Sequence, residues 1–184
     1  MEERIIMAGF GGQGIMFMGK LLAYASFLER KNVTWLPSYG PQMRGGTTNC
    51  MVVLSKRRIA SPYVVEPSSL IVMNRPSLDK FEHTVKPGGL IILNSSMVKG
   101  ELRRNDITVY KIPAGEIAEK LGDIRVSNMV TLGAFVRVKP IVPIDALLDS
   151  LDQVLSTRHK ELLDLNRIAL KHGFEMDTEV SENE

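Results

Sequence analysis

What this chain has little of narrows its chemistry. It carries one cysteine, Cys50, in 184 residues. A single thiol closes no internal disulfide, and alone it holds neither a zinc ion nor an iron–sulfur cluster. A reducing cytoplasm is the expected compartment. The three histidines, His83, His159 and His172, stand far apart and give no metal-ligand spacing. No apolar run approaches the length of a membrane span. The short apolar stretch near the N-terminus is broken by glycines before it reaches signal-peptide length. The net charge of +2 is too small to argue for nucleic acid or an anionic membrane as partner. There is no G-x-S-x-G, no P-loop ending in Lys-Ser or Lys-Thr, and no evident acid–base pair. These gaps point to a binding or accessory protein, or to one subunit of a larger enzyme.

What is present is an ordinary globular composition, 44% hydrophobic and 24% charged, in a chain long enough for one domain with a real core. Ten methionines against one tryptophan suggest an adaptable interior or interface. The organising stretch is residues 4–20, RIIMAGFGGQGIMFMGK. It reads as a buried strand, a glycine-packed turn and a helix. Gly9, Gly11, Gly12 and Gly14 fill the turn with G-x-G-x-x-G spacing and one further glycine. Such a turn allows positive φ and close approach to the backbone, and the helix N-terminus behind it offers free N–H groups to an anion. It equally serves as a tight strand-to-helix turn in which glycine only permits packing, and the motif alone does not choose. A dinucleotide site normally adds a carboxylate at the end of the second strand. Here that strand, residues 33–36, runs into Pro37-Ser38-Tyr39-Gly40 without one.

Further on, strands and helices alternate. Apolar patterning predicts a helix over 15–29, strands over 47–54, 69–73, 90–93 and 107–112, and a helix opening at Pro76. A return strand over 59–62, stopped by Pro62, is expected at a sheet edge after the basic turn Lys56-Arg57-Arg58. Asn74 and Asn94 each end a strand, where they either face a ligand or cap the following helix. Helices then take over: 115–122; 126–138, with Ser127 or Asn128 as cap and Gly133 available for a close helix contact; 144–155; and 157–172, ending at Gly173. Residues 175–184 form an acidic tail expected to lack structure. The expected architecture is a single α/β domain over residues 1–174, with a largely parallel sheet flanked by helices, a Rossmann-like start and a helical C-terminal part. Cys50, inside a strand, reads as a buried inert side chain. A second loop, residues 37–46 (PSYGPQMRGG), is stiffened by proline and bent by glycine. Its Arg44 could brace the loop, meet another subunit, or grip a phosphate or carboxylate.

GFGGQG together with PSYGPQMRGG closely resembles the gamma subunit of 2-oxoacid:ferredoxin oxidoreductases, and the resemblance runs over about residues 4–173. The 2-oxoglutarate type is the nearest in pattern, with pyruvate and 2-oxoisovalerate types as the other branches. The resemblance implies an accessory subunit, not catalytic alone, of a complex that decarboxylates a 2-oxoacid with coenzyme A and reduces ferredoxin. It implies that this chain binds no cofactor by itself, and that thiamine diphosphate, Mg and iron–sulfur clusters belong to partner alpha, beta and ferredoxin-like delta subunits. Gly9, Gly11, Gly12, Gln13, Gly14 and Arg44 match the family's two loops. They are expected at a subunit interface or near the coenzyme A path. Gln42 and Arg75 depart from the family pattern, in which an acidic residue and a glutamine are common. Two other readings stay open: a stand-alone nucleotide-binding, dehydrogenase-like domain, and a non-catalytic interaction module. An accessory subunit should expose apolar surface when alone, with residues 126–138, residues 144–155, Met16, Met18 and Met43 as candidates.

Overall fold

A computed structural model describes residues 2–38, 47–176 and 180–181. Seven strands form one sheet: β1 (Glu2–Phe10), β2 (Asn32–Ser38), β3 (Thr47–Ser55), β4 (Ser69–Val72), β5 (Leu90–Asn94), β6 (Thr108–Ile112) and β7 (Val180–Ser181). Their order is β2-β3-β1-β4-β5-β6-β7. β1, β4, β5 and β6 are parallel neighbours, while β3 and β7 run antiparallel to theirs. Six helices accompany the sheet: α1 (Ile15–Leu28), α2 (Arg75–Phe81), α3 (Ala114–Leu121), α4 (Ser127–Val138), α5 (Ile144–Val154) and α6 (Leu163–Glu175).

The parallel strands have a core on each face, which is why they read as unbroken apolar runs. Alternate residues divide between the two. Ile5, Met7, Ile71 and Ile92 meet α1, α3, α4, α5 and α6. Ile6, Ala8, Leu70, Val72, Ile91 and Leu93 meet α2 and the loops bearing Val64 and Val98. A one-residue slip of any central strand would exchange these sets.

The Rossmann-like start is modified in one respect. The strand after α1 does not lie beside β1, because β3 occupies that place. This also removes the expected return strand at 59–62. Ser55 is already paired with Glu2 on one side and Asn32 on the other, so β3 offers no free edge. Residues 59–62 form no strand, and Lys56, Arg57 and Arg58 are exposed as the chain leaves β3. β2, on the sheet edge, extends through Pro37, where a missing N–H is tolerated.

The C-terminal helices differ from expectation in detail. Neither Ser127 nor Asn128 caps α4; the cap position is Val126, without a side-chain bond. Gly133 does serve close packing, since a Cβ there would run into the Leu170 carbonyl. Gly173 does not end the last helix. It lies within α6, and a Cβ on it would collide with the Val130 carbonyl. The two glycines let α4 and α6 touch backbone to backbone. α4 is therefore buried through Val136 and is not an exposed apolar patch, and Met18 is likewise inside the core. Part of the acidic tail is structured, because Glu175 closes α6 and β7 pairs with β6. Residues 177–179 and 182–184 lie outside the described residues.

Candidate functional site

The glycine turn joins β1 to α1 and opens onto a cavity of about 490 Å³. Gly14, at φ 69°, occupies the cap position of α1 and supplies no side-chain bond. The first-turn N–H groups of Ile15, Met16 and Phe17 are thus left without helical partners. All three residues line the cavity, as do Gly11, Gly12 and Gly14. Gly12, at φ 96°, has open space where a Cβ would be, so its demand is conformational alone.

Gly9 and Gln13 stand behind the turn. The Phe10 N–H donates to Gln13 Oε1 at 2.6 Å, and Gln13 Nε2 donates to the Met73 carbonyl at 3.2 Å. Asn74 Nδ2 reaches the same Oε1 at 3.4 Å. Gln13 therefore ties the end of β1 to the end of β4. A Cβ on Gly9 would press on Gln13, Ile15 and Met73. The motif divides between both of its readings: Gly9 and Gly14 are packing positions, a Cβ on Gly14 running into the Asn128 amide, while Gly11 and Gly12 are exposed. Asn74 caps α2 by accepting from the Ser77 N–H at 2.8 Å, and Asn94 Oδ1 accepts from the Ser96 N–H at 3.2 Å. Arg75 braces the loop beyond β5, donating to the carbonyls of Lys99 and Glu101 at 3.0 and 3.1 Å. Of the second loop, Ser38 is exposed at the end of β2, whereas Arg44 and the rest of residues 39–46 lie outside the described residues.

The remaining cavity wall comes from residues that sequence reading did not assign to a site. Lys20 lies one turn into α1. Thr48 and Trp35 come from β3 and β2, Asn128 from the start of α4, and Leu155, Leu162 and Asn166 from the α5–α6 region. Asn128 Nδ2 donates to the Gly14 carbonyl at 3.2 Å, fastening α4 to the turn. Thr48 is only 5% exposed, and its hydroxyl has no hydrogen-bond partner among the described residues. It shares this state among the described residues with the Trp35 indole N–H of the same wall, and with Ser26, Thr34 and Ser77 elsewhere. Arg125 is held by Asp123, whose carboxyl the guanidinium keeps below the usual carboxylate range. Sequence reading offered Asn128 only as a helix cap and did not mark Thr48, since a threonine in a strand and an asparagine near a helix start are ordinary.

One side of the cavity is rich in donors: backbone N–H groups, Lys20 and Arg125. The other, built by Met16, Phe17, Val154, Leu155 and Leu162, is apolar. This suits a ligand with an anionic group and an apolar or aromatic body. The described lining has no His, Cys, Asp or Glu, so it offers no general base. Cys50, behind it, is fully buried, and burial pushes its thiol up to about 12. No group of three or more His, Cys, Asp or Glu side chains able to hold a metal occurs among the described residues. No helix among them is long and apolar enough to cross a membrane.

The fold is an α/β domain with a cavity opening at the glycine turn between its first strand and first helix. The model of the pyruvate ferredoxin/flavodoxin oxidoreductase family matches residues 4–176. The chain belongs to that family. Among similar proteins, a ketoisovalerate oxidoreductase subunit VorA of Methanothermobacter thermautotrophicus is 43% identical over 72% of this chain and 27% of its own length. The chain thus spans about a quarter of the VorA proteins it matches. A 2-oxoglutarate synthase subunit KorC of Methanocaldococcus jannaschii is 35% identical over 98% of this chain and 96% of its own. The crystal structure of a keto/oxoacid ferredoxin oxidoreductase gamma subunit from Geobacter sulfurreducens superposes with TM-score 0.83 at 25% identity, covering 95% of each chain.

Proposed function

We propose that this chain is the gamma subunit of a 2-oxoacid:ferredoxin oxidoreductase of the 2-oxoglutarate type. The observation that carries this is the end-to-end match to a KorC subunit, which extends over nearly all of both chains. In this reading the chain joins alpha, beta and ferredoxin-like delta subunits in the cytoplasm. Those subunits hold thiamine diphosphate, Mg and the iron–sulfur clusters. The complex converts a 2-oxoacid and coenzyme A to acyl-CoA and carbon dioxide, passing electrons to ferredoxin. The glycine-turn cavity then serves coenzyme A. Its phosphates meet the uncapped N-terminus of α1 and Lys20, the Thr48 hydroxyl is satisfied, and the apolar wall takes the body of the ligand. Arg44 is assigned to the same neighbourhood from the family's second loop.

The test is purification of the tagged chain from its native host without oxygen, followed by assay with 2-oxoacids, coenzyme A and a viologen dye. Thiamine- and cluster-bearing subunits should co-purify, and 2-oxoglutarate should give the fastest dye reduction. Lys20→Met should raise the KM for coenzyme A about tenfold, as expected for loss of one charge-assisted phosphate contact, and leave the KM for the 2-oxoacid unchanged. Recovery of the chain alone, or an unchanged KM for coenzyme A, would overturn the respective part of the proposal.

A further inference from the structure

A second cavity, of about 470 Å³, lies at the opposite end of the sheet from the glycine turn. Its position follows from strand register. Asn32 of β2 pairs with Ser55 of β3, and Ser55 also pairs with Glu2 of β1. Lys31, just before β2, and Lys56, just after β3, are thereby brought to one rim. The link between α4 and α5, running from Lys139 through Pro143, forms the facing wall. Three ammonium groups line this one concavity.

These lysines are placed by structure. α1 ends with its N–H groups turned back on it: Arg30 donates to the Phe27 carbonyl at 2.9 Å and Lys31 to the Ser26 carbonyl at 3.2 Å. This close requires a left-handed residue, and Arg30 takes it at φ 57° although it is not glycine. The exit of α1 thereby sets where Lys31 stands. On the other wall, Lys139 is 3.5 Å from Glu3 Oε2. The Glu3 carboxylate is already engaged, since the hydroxyls of Ser68 and Ser69 donate to its Oε1 at 2.6 and 2.7 Å. It thus offsets Lys139 and leaves the other two. Among the described residues neither Lys31 nor Lys56 has an ion-pair partner within 4 Å. Burial lowers the Lys31 pKa, and the Lys56 charge lowers it further, against the pull of Glu29. Two like charges facing one half-buried space are stabilised by an anion between them.

We propose that this pocket binds a small phosphate-class anion, held between Lys31 and Lys56 with Lys139 behind them. Lysine suits that role as a point charge on a phosphate, without the paired geometry that arginine gives to a carboxylate. The volume lies within the range of small-molecule sites. The proposal is independent of the coenzyme A reading, because the two cavities share no lining residue.

The experiment is calorimetric titration of the full chain with inorganic phosphate and with pyrophosphate at low ionic strength, where such contacts are least screened. Both should bind, pyrophosphate the more tightly. Measured in a Lys20→Met background, which removes the phosphate contact assigned to the glycine-turn cavity, Lys31→Met/Lys56→Met should weaken pyrophosphate at least tenfold. Lys56→Met alone serves as the variant safest for folding, since Lys56 is exposed, and it should cost about threefold. Absence of binding, or equal affinity in the Lys56 variant, would overturn the proposal. So would loss of pyrophosphate binding once the chain is assembled with its partners, which would identify an acidic partner segment as the occupant.

Discussion

Cys50 shows how one side chain is silenced. It is fully buried beneath α1, and its thiol contacts the Ile15 carbonyl at 3.6 Å. Burial raises its pKa from an ordinary 9.0 to about 12, with the neighbouring Trp35 indole pulling weakly the other way. The sign for stability follows directly. Between about pH 9 and 12 the unfolded chain releases this proton while the native chain keeps it, so the contribution is complete below pH 9 and declines toward 12. Native protein at pH 8 should therefore resist thiol reagents until denaturant is added. A Cys50→Ala variant should lose less stability than the parent over that alkaline window. Rapid labelling of the native protein, or identical alkaline slopes, would show the thiol to be accessible or its titration unimportant.

The element that best repays attention is the pair α4 and α6. Their crossing is fixed by Gly133 and Gly173, each facing a backbone carbonyl of the other helix. Gly173→Ala places a methyl group against the Val130 backbone, which cannot move as a flexible side chain would. The expected cost is about 1–3 kcal/mol, the usual range for overpacking a tight interior, read as a fall in thermal midpoint. An unchanged midpoint would mean that the helices separate freely. The sequence showed part of this. Gly133, inside an apolar helical run, was legible as a close-packing site. Gly173, near the end of a polar stretch, looked like a terminator, because the same residue suits both roles. Strands β4 and β5 were legible because both their faces are covered. The return strand at 59–62 was mistaken because local turn signals do not reveal that β3 already has partners on both sides. Likewise Gly9, Gly11, Gly12 and Gly14 announced the turn. Thr48, Asn128 and Asn166, which complete its cavity, could be located only once the chain was folded, since they come from positions up to 152 residues beyond Gly14.

At the scale of the whole molecule, the two ends of the chain depend on each other. α1 packs on α5, and the principal core draws on segments from Ile5 to Leu170. Removing residues 163–184 should strip α6 from α4 and expose Val130, Leu132 and their neighbours. The truncated chain is expected to bind hydrophobic dyes and to lose its sharp unfolding transition. A truncated form that still melts cooperatively near the parental midpoint would show the C-terminal helices to be an appendage.

The bond between Asn128 and the Gly14 carbonyl has a consequence for the chain as it is made. It joins positions 114 apart. In a nascent chain the glycine turn is made well before Asn128, and the cavity has no far wall until α4, and then the residues around Leu162 and Asn166, have followed. Occupancy of that cavity therefore requires synthesis through Asn166, and whatever binds there distinguishes chains that have passed that point from shorter ones.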